Sequence, residues 1–322
     1  MGGIFMAVTR KAVLGISEQT KFAPEIIEKV LRLITILNEI NENPGLKNKF
    51  ALKGGTALNL FVLALPRLSV DIDLNYIGTL NVAEMKAEKS ALEKTLRAIC
   101  ARLGMNMQPG PPDHAGGKWN IQYSSVLGRI MNTIQIDINF MYRAPLWPIQ
   151  LLDSCVFGDF SAKQFPVLSS CELYAGKLRA LLSRRVSRDL YDASKIAVDI
   201  DKGKLRLALV IYGAMNPKDW RTVSIDSVTC SAIELKERLL PLLNFTEQPK
   251  SQDLEEYSRQ LVESVKANLA QLFPLTDKES EFVRLVREDG IINSSLITDN
   301  TQLASIIEQH PSLLWRASKA GQ

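Results

Sequence analysis

The chain has 322 residues, of which 46% are hydrophobic and 23% are charged, and its formal net charge is +4. This length allows two domains, and the composition is that of an ordinary globular protein, which argues against a disordered or fibrous chain. The mildly positive charge permits a nucleic-acid or nucleotide partner but does not require one.

Cysteine, histidine and hydropathy patterns narrow the class of protein further. Four cysteines without Cys-x-x-Cys spacing indicate reduced, buried thiols in a cytosolic protein and not a disulfide or zinc framework. The two histidines, His114 and His310, are far apart in the sequence, which argues against a histidine-based metal site. No signal peptide is evident, and no apolar run approaches the about 20 residues of a membrane span. We therefore expect a cytoplasmic protein without a membrane partner.

The first part of the chain alternates between helical and extended patterns. Pro24 opens a helix whose apolar residues keep a helical period to about Glu39. A short buried strand is predicted at Phe50–Lys53, and it enters the turn Gly54-Gly55-Thr56. Glycines allow positive φ, and successive N–H groups of such a turn can bind an anion. The turn leads into a helix predicted at Ala57–Ala64, whose N-terminus favours phosphate.

A strand that carries Asp71 and Asp73 follows this helix. Residues i and i+2 of a strand project to the same face, so the two carboxylates stand side by side. Such a pair repels unless a cation neutralises it or one carboxyl is protonated, and oxygen ligands suit Mg²⁺. An isolated Asp-x-Asp is more often a solvent-facing pair. The preceding glycine turn favours a phosphate cradle beside a metal site, which are the two parts that phosphoryl or nucleotidyl transfer needs.

A third acidic candidate lies on a later strand. The next predicted elements are a helix over residues 82–103, a turn-forming segment at Pro109–Gly117, and strands at Trp119–Ser125 and Thr133–Tyr142. The last of these strands alternates apolar and polar residues, and Asp137 falls on its polar face. Asp137 either completes the metal site from a neighbouring strand or is a solvated strand residue.

Basic and acidic residues are concentrated further along the chain. A helix predicted at Glu172–Leu182 carries Lys177, and it runs into a cationic turn that contains Arg184, Arg185 and Arg188. Asp189 starts the next helix, where Asp189 and Asp192 at i and i+3 share one face. These residues also have simpler explanations. Lys177 extends from a helix flank, the arginines solvate a loop, or Asp189 is an acid favoured at a helix N-terminus.

The remainder of the chain is predicted to be helical. Helical periodicity covers Lys204–Met215, Ser231–Leu243, Asp253–Leu272, Asp277–Arg287 and Thr301–Gln309, and the tail after Pro311 is predicted to be poorly ordered. The change in pattern predicts two domains. Residues 1–165 form a mixed α/β (α+β) core, and residues 166–322 form a mainly helical domain that carries the Lys177 and Asp189/Asp192 motifs.

In combination these motifs resemble a known family. The order Gly54-Gly55-Thr56, then Asp71-Ile72-Asp73, resembles the first motif of the DNA polymerase β-like nucleotidyltransferase superfamily. More narrowly, the chain resembles the AbiEii toxin family of bacterial abortive-infection toxin–antitoxin systems at residues 68–74, 172–180 and 185–192. The chain departs from the family pattern in three ways. Arg188 stands where lysine is common, the gap between Thr56 and Asp71 is longer than usual, and Asp137 matches the second motif only loosely.

The resemblance implies a fold, an activity and a site. The fold is a polymerase-β-like mixed sheet with flanking helices, and the activity is metal-dependent transfer from an NTP with release of pyrophosphate. The implied ligands of Mg²⁺ or Mn²⁺ are Asp71 and Asp73, with Asp137 as a third candidate. The implied nucleotide-binding residues are Lys53, Gly54, Gly55, Thr56, Ser69 and Lys177. Asp137, or instead Asp189 and Asp192, positions the acceptor hydroxyl, completes metal coordination or orients Lys177, and the three arginines bind triphosphate or RNA phosphates.

The resemblance also implies partners. Related toxins of the family add nucleotides to the 3′ end of tRNA, which blocks translation, so tRNA is the expected acceptor. The expected regulator is a cognate antitoxin, a winged-helix protein encoded nearby.

Other classes of protein share single features with this chain. Haloacid dehalogenase-like phosphatases place Thr or Val four residues beyond the first Asp of Asp-x-Asp, where this chain has Asn75. Metal-dependent glycosyltransferases use Asp-x-Asp without the upstream glycine turn or a motif like that of Lys177. Two alternatives stay open: a nucleotide- or RNA-binding protein without turnover, and a nucleotidyltransferase that modifies a protein or a small molecule.

Overall fold

The computed structural model describes residues 7–63, 65–110, 116–128 and 130–321. The predicted helix end at Ala64, His114 and most of the predicted turn at Pro109–Gly117 lie outside these residues. The chain divides into two compact units. The first comprises Met1–Arg143, Ile149–Leu168 and Leu242–Gln248, and the second comprises Ala144–Pro148, Ser169–Pro241 and Pro249–Gln322. Along the sequence, each unit is therefore interrupted by a short segment that belongs to the other unit.

The described strands of the first unit form one mixed sheet. They are β1 (Phe50–Lys53), β2 (Ile72–Tyr76), β3 (Asn106–Pro109), β4 (Gly116–Ser124), β5 (Met131–Asn139), β6 (Gln150–Leu152) and β7 (Phe165–Val167), in the spatial order β3-β4-β5-β2-β1-β7-β6. The pairs β2–β5 and β1–β7 are parallel, and the other neighbours are antiparallel. The predicted mixed α/β class is therefore confirmed.

The described part of the first unit contains the helices α1 (Arg10–Thr20), α2 (Pro24–Glu42), α3 (Gly54–Ala57), which continues as a π-helical turn at Leu58–Val62, and α4 (Val82–Arg102). Local sequence explains their starts. The Thr9 hydroxyl accepts a hydrogen bond from the Ala12 N–H, and the Asn81 side chain caps α4 in the same way. Pro24 occupies the first turn of α2, where its missing N–H has no cost.

The two faces of the sheet differ in polarity, as the alternation of β5 predicts. Ile72 and Leu74 of β2 lie in register with Ile136 and Ile138 of β5, and all four are buried. These residues form the centre of the apolar face. Asp73 and Asp137 lie in register with each other on the opposite face and are half-buried. The alternation therefore aligns two acidic side chains on neighbouring strands.

The second unit is mainly helical. Its helices are α5 (Ser170–Arg184), α6 (Ser187–Ser194), α7 (Lys202–Ala214), α8 (Ala232–Glu234, continued by the π-turn Leu235–Leu239), α9 (Leu254–Leu269), α10 (Asp277–Arg284, continued by Leu285–Asp289), α11 (Thr301–Glu308) and α12 (Pro311–Ala317). Trp220 is fully buried, and a Cβ at Gly213 would lie 2.2 Å from its indole ring. Glycine at this position therefore lets α7 approach the tryptophan.

Two predictions about local structure are wrong, the first of them in part. The helix expected at Ala57–Ala64 is present, but it begins at Gly54, because the glycines themselves form the first helical turn; its described turns end at Val62. The tail after Pro311 is not disordered, because Pro311 opens α12 and Leu313 of that helix is fully buried. Within the described residues, no helix combines the length and apolar character that crossing a bilayer requires.

Candidate active site

The glycine turn and a strand carboxylate are in close contact. Gly54 has φ +73°, and a Cβ at this position would lie 2.2 Å from Oδ2 of Asp73. A side chain larger than glycine would therefore clash with the carboxylate and also adopt a backbone conformation that L-residues rarely occupy. Because β1 ends at Lys53 and pairs with β2, the backbone of the turn is held against Asp73.

The threonine of the turn is tied to the residue that precedes β2. Thr56 is fully buried, and its hydroxyl donates a hydrogen bond of 2.5 Å to the carbonyl oxygen of Asp71. The Asn59 side chain donates to the carbonyl oxygen of Gly55 at 2.9 Å. Since the hydroxyl proton of Thr56 is used within the protein, a phosphate at this turn would meet backbone N–H groups. Ser69, another predicted nucleotide-binding residue, is buried, with only 8% of its surface exposed.

Four neighbouring strands align a row of charges across the polar face. Lys53 of β1 lies opposite Asp73 of β2, Asp73 lies in register with Asp137 of β5, and Asp137 lies opposite Lys118 of β4. Residues paired in this way project to the same face of a sheet. Across β1, β2, β5 and β4, the order of charges is therefore cation, anion, anion, cation. The Nζ atom of Lys118 lies 3.6 Å from Oδ2 of Asp137.

The carboxylates fit a divalent cation that also takes ligands from elsewhere. In the described part of the chain, no three His, Cys, Asp or Glu side chains are grouped closely enough to hold a metal ion by themselves. Mg²⁺ typically uses one or two carboxylates and completes its shell with water and substrate phosphates. Asp73 beside Asp137, with a glycine backbone in contact with the former, is a donor set of that kind.

A separate charged cluster lies within the second unit. The Nζ atom of Lys177 on α5 lies 3.1 Å from Oδ1 of Asp189 and 2.8 Å from Oδ2 of Asp192, both on α6. Arg184 adds a bond of 2.7 Å from its Nε to the other oxygen of Asp189. The i and i+3 spacing on α6 turns both carboxylates to one side, and the lysine meets both there.

Burial and charge act in opposite directions on Asp189. Burial raises the pKa of its carboxyl, but Lys177 and Arg184 outweigh this effect, so the pKa ends below its ordinary value. The arginines of the turn differ in exposure. The side chain of Arg184 is 60% exposed, Arg185 ends α5 in a left-handed conformation and is exposed, and Arg188 is half-buried.

A buried glutamate fixes the start of the helix that carries Lys177. Glu172 is 1% exposed and accepts hydrogen bonds from the Leu146 N–H at 2.9 Å, the Tyr212 hydroxyl at 2.9 Å and the Ser169 hydroxyl at 3.0 Å. Burial raises the pKa of Glu172, and these donors reduce the rise without cancelling it. Glu172 therefore joins the segment 144–148, the cap of α5 and the helix α7.

The predicted residues fall into two groups by unit. Lys53, Gly54, Asp73 and Asp137 meet in the first unit, and Lys177, Asp189, Asp192 and Arg184 meet in the second. Sequence reasoning missed Lys118, because the predicted strand began at Trp119. The signal was present, since Lys118 continues the alternation of polar residues along β4. The contacts of Glu172 were also missed, because they join residues far apart in the sequence.

Comparison with solved structures defines the class of fold. MenT4, a nucleotidyltransferase toxin from Mycobacterium tuberculosis H37Rv, is 17% identical to this chain, with a TM-score of 0.61 over 94% of this chain and 98% of that chain. JHP933 from Helicobacter pylori is 17% identical over 78% of this chain and 94% of that chain, with a TM-score of 0.46. The likeness to MenT4 confirms the predicted nucleotidyltransferase-type fold.

The sequence then identifies the family. Residues 35–278 match the model of the family described as nucleotidyl transferase AbiEii toxin, type IV toxin–antitoxin system. The chain belongs to this family. Curated protein sequences contain no significant match to it. Nucleotidyltransferases of this type generally use an NTP and a divalent metal, and membership of a type IV toxin–antitoxin family implies an antitoxin partner.

Proposed function

We propose that this toxin transfers a nucleoside monophosphate from an NTP to the 3′ end of tRNA. In this reaction the hydroxyl oxygen of the acceptor forms a bond to the α-phosphorus. The bond from that phosphorus to the oxygen bridging to the β-phosphate breaks, and pyrophosphate leaves. The hydroxyl proton passes to solvent or to a nearby carboxylate. Modification of the 3′ end blocks translation, which accounts for toxicity.

The observation that carries this proposal is the contact between Gly54 and Asp73, with Asp137 in register beside it. A turn whose backbone N–H groups can bind phosphate lies directly against the carboxylate of Asp73. Asp71 and Asp73 would hold the divalent ion, with Asp137 as a third ligand, and Mg²⁺ or Mn²⁺ bound there would supply Lewis-acid stabilisation of the charge on the triphosphate. Lys53, Gly54, Gly55, Thr56 and Ser69 line the nucleotide.

Lys177 is assigned to the charge of the triphosphate. An ammonium on a flexible stem suits a phosphate oxygen, and both carboxylates of α6 contact it. Of the roles open to Asp189 and Asp192, these contacts support orientation of Lys177. Asp189 and Asp192 together hold the lysine in one position, so its charge is placed before the nucleotide arrives.

The choice of tRNA rests on the family resemblance and on the arginines. Arg184, Arg185 and Arg188 lie within five residues of one another, and Arg185 is exposed. Guanidinium groups bind phosphate in a bidentate manner, and phosphate contacts supply most of the affinity for nucleic acid. The cognate antitoxin, expected to be a winged-helix regulator encoded nearby, is the remaining proposed partner.

The experiment is a transfer assay with four α-labelled NTPs in parallel, total tRNA and Mg²⁺ or Mn²⁺. We expect label on tRNA from at least one NTP and no label when the same NTP carries it on the γ-phosphate. Periodate oxidation destroys the 3′-terminal diol of tRNA, so oxidised tRNA must not accept label. Asp73→Asn is the inactive control, and Asp159→Asn, which changes an exposed turn residue, keeps activity.

Three outcomes contradict the proposal. Label on oxidised tRNA moves the acceptor away from the 3′ end, and label on protein or on a small molecule replaces tRNA as the acceptor. Absence of transfer from all four NTPs, with nucleotide binding retained, supports a binding protein without turnover.

A further inference from the structure

A lysine outside the predicted site faces the strand carboxylates. Lys118 lies directly opposite Asp137 in the β4–β5 ladder, and its Nζ is 3.6 Å from the Asp137 carboxylate. We propose that Lys118 is an internal counter-ion of Asp137 that a divalent cation displaces when it binds beside Asp73. This inference rests on the metal site of the proposed function, and it adds a residue that sets the affinity of that site for the metal.

The contact has the properties of a temporary pair. A separation of 3.6 Å exceeds the roughly 2.7–3.2 Å of an N–H···O hydrogen bond, so the attraction is coulombic and not directional. The side chains of Lys118 and Asp137 are 38% and 28% exposed, and both remain in contact with water. An ammonium in this setting exchanges readily between a carboxylate and solvent.

The backbone restricts how the pair can separate. Nine consecutive residue pairs join β4 to β5, from Gly116 opposite Asn139 to Ser124 opposite Met131. A Cβ at Gly116 would lie 2.3 Å from the carbonyl oxygen of Ile138, so the ladder is tight beside the pair. The strands cannot move apart at Lys118 without breaking this ladder. Displacement therefore occurs by rotation of the lysine side chain alone.

The ammonium of Lys118 and a divalent ion compete for Asp137, and the balance of charge explains why. In the row across the sheet, the charges of Lys53 and Lys118 balance those of Asp73 and Asp137. A divalent ion at the two carboxylates leaves excess positive charge next to Lys118 and repels its ammonium. Since coupling between two ligands is reciprocal, the affinity of Asp137 for Lys118 lowers the affinity of the site for the metal. Removal of the lysine charge should therefore tighten metal binding.

The test measures Mn²⁺ binding to the full chain by the electron paramagnetic resonance signal of free Mn²⁺, at constant ionic strength and without nucleotide. We expect Lys118→Gln to lower the Kd for Mn²⁺ by roughly twofold to fivefold, the size of one exposed ion pair. Lys163→Gln is the matched control, because it removes one charge from another ion pair of the same unit, with Asp153 at 3.0 Å. Its Kd should equal that of the unmodified chain.

A double-mutant cycle shows whether Lys118 acts through Asp137. Asp137→Asn removes the group for which the two cations compete, so Lys118→Gln should have no further effect in that background. Equal tightening with and without Asp137 would mean a general effect of charge and would overturn the inference. So would an unchanged Kd in Lys118→Gln, and that result would leave the proposed function intact. Absence of Mn²⁺ binding to the unmodified, folded chain would overturn the metal site itself, and this inference with it.

Discussion

The ammonium of Lys177 lies 2.8 Å from a carboxylate oxygen of Asp192, and the two side chains are 10% and 0% exposed. A pair so far from solvent stabilises the fold only while both partners are present, because loss of one leaves the other buried with less opposite charge around it. Asp192 is therefore a structural residue, and in the proposed function it also orients the lysine.

The first prediction concerns this pair. Asp192→Asn leaves Lys177 with Asp189 as its remaining acidic partner on α6. We therefore expect the free energy of unfolding to fall by roughly 2 kcal/mol, the size of one buried hydrogen bond between charged groups. Urea denaturation measures the change. Asp153→Asn is the control, because it removes an exposed pair with Lys163 and should have a far smaller effect. Equal effects of the two substitutions would show that the buried pair contributes no more than a surface pair.

The second prediction separates backbone strain from contact with a carboxylate. Gly54 and Gly104 have φ +73° and +70°, but a Cβ at Gly54 would meet Asp73, whereas no described atom lies within 4 Å of a Cβ at Gly104. Both alanine variants should lose about 1 kcal/mol of stability from the left-handed backbone. Gly54→Ala alone should lower transfer activity by about a hundredfold, because it displaces a carboxylate. Equal loss of activity in both variants would remove the contact with Asp73 from the explanation.

Much of the fold could be predicted because long elements repeat a pattern many times. The helix predicted over residues 82–103 corresponds to α4, and the alternation of Ile134, Ile136 and Ile138 corresponds to β5. Strands β3, β6 and β7 have three or four residues, too few for alternation to be recognised. The π-helical turn after Gly54 also has no sequence pattern that distinguishes it from an α-helix.

The site could be predicted only as far as local spacing reaches. Spacing within one element placed Asp189 and Asp192 on one side of a helix, and they do share Lys177. The row from Lys53 to Lys118 requires the order of four strands, and strand order depends on pairing between distant segments. Asp137 could therefore be named as a candidate, whereas its pairing with Lys118 could not.

The third prediction concerns the pH dependence of stability. The pKa of Glu172 is raised by burial, so the native state holds this proton more tightly than the unfolded chain. As the pH rises above the ordinary glutamate pKa of about 4.3, the carboxyl of the unfolded chain ionises first. The contribution of Glu172 to the free energy of unfolding therefore falls with rising pH until the native carboxyl has also ionised.

Glu172→Gln tests this sign, because glutamine keeps a carbonyl oxygen for the donors Leu146 and Tyr212 but cannot ionise. Urea denaturation at a series of pH values should show the unmodified chain losing stability relative to the variant as the pH rises. Groups common to both proteins cancel in this difference. Curves that stay parallel across the series would mean that the pKa of Glu172 is the same in the native and unfolded states.

The fourth prediction connects the acidic pair to toxicity. Asp71→Asn and Asp73→Asn should each restore growth when the protein is expressed, because an amide cannot replace a carboxylate as a ligand of a divalent cation. Asp73 is half-buried at the polar face, so the change in charge should leave the melting temperature close to that of the unmodified chain. Asp159→Asn should remain toxic. Growth and melting temperature must be measured on the same variants, because an unfolded protein is harmless for a different reason. A folded Asp73→Asn variant that still stops growth would exclude Asp73 from the reaction.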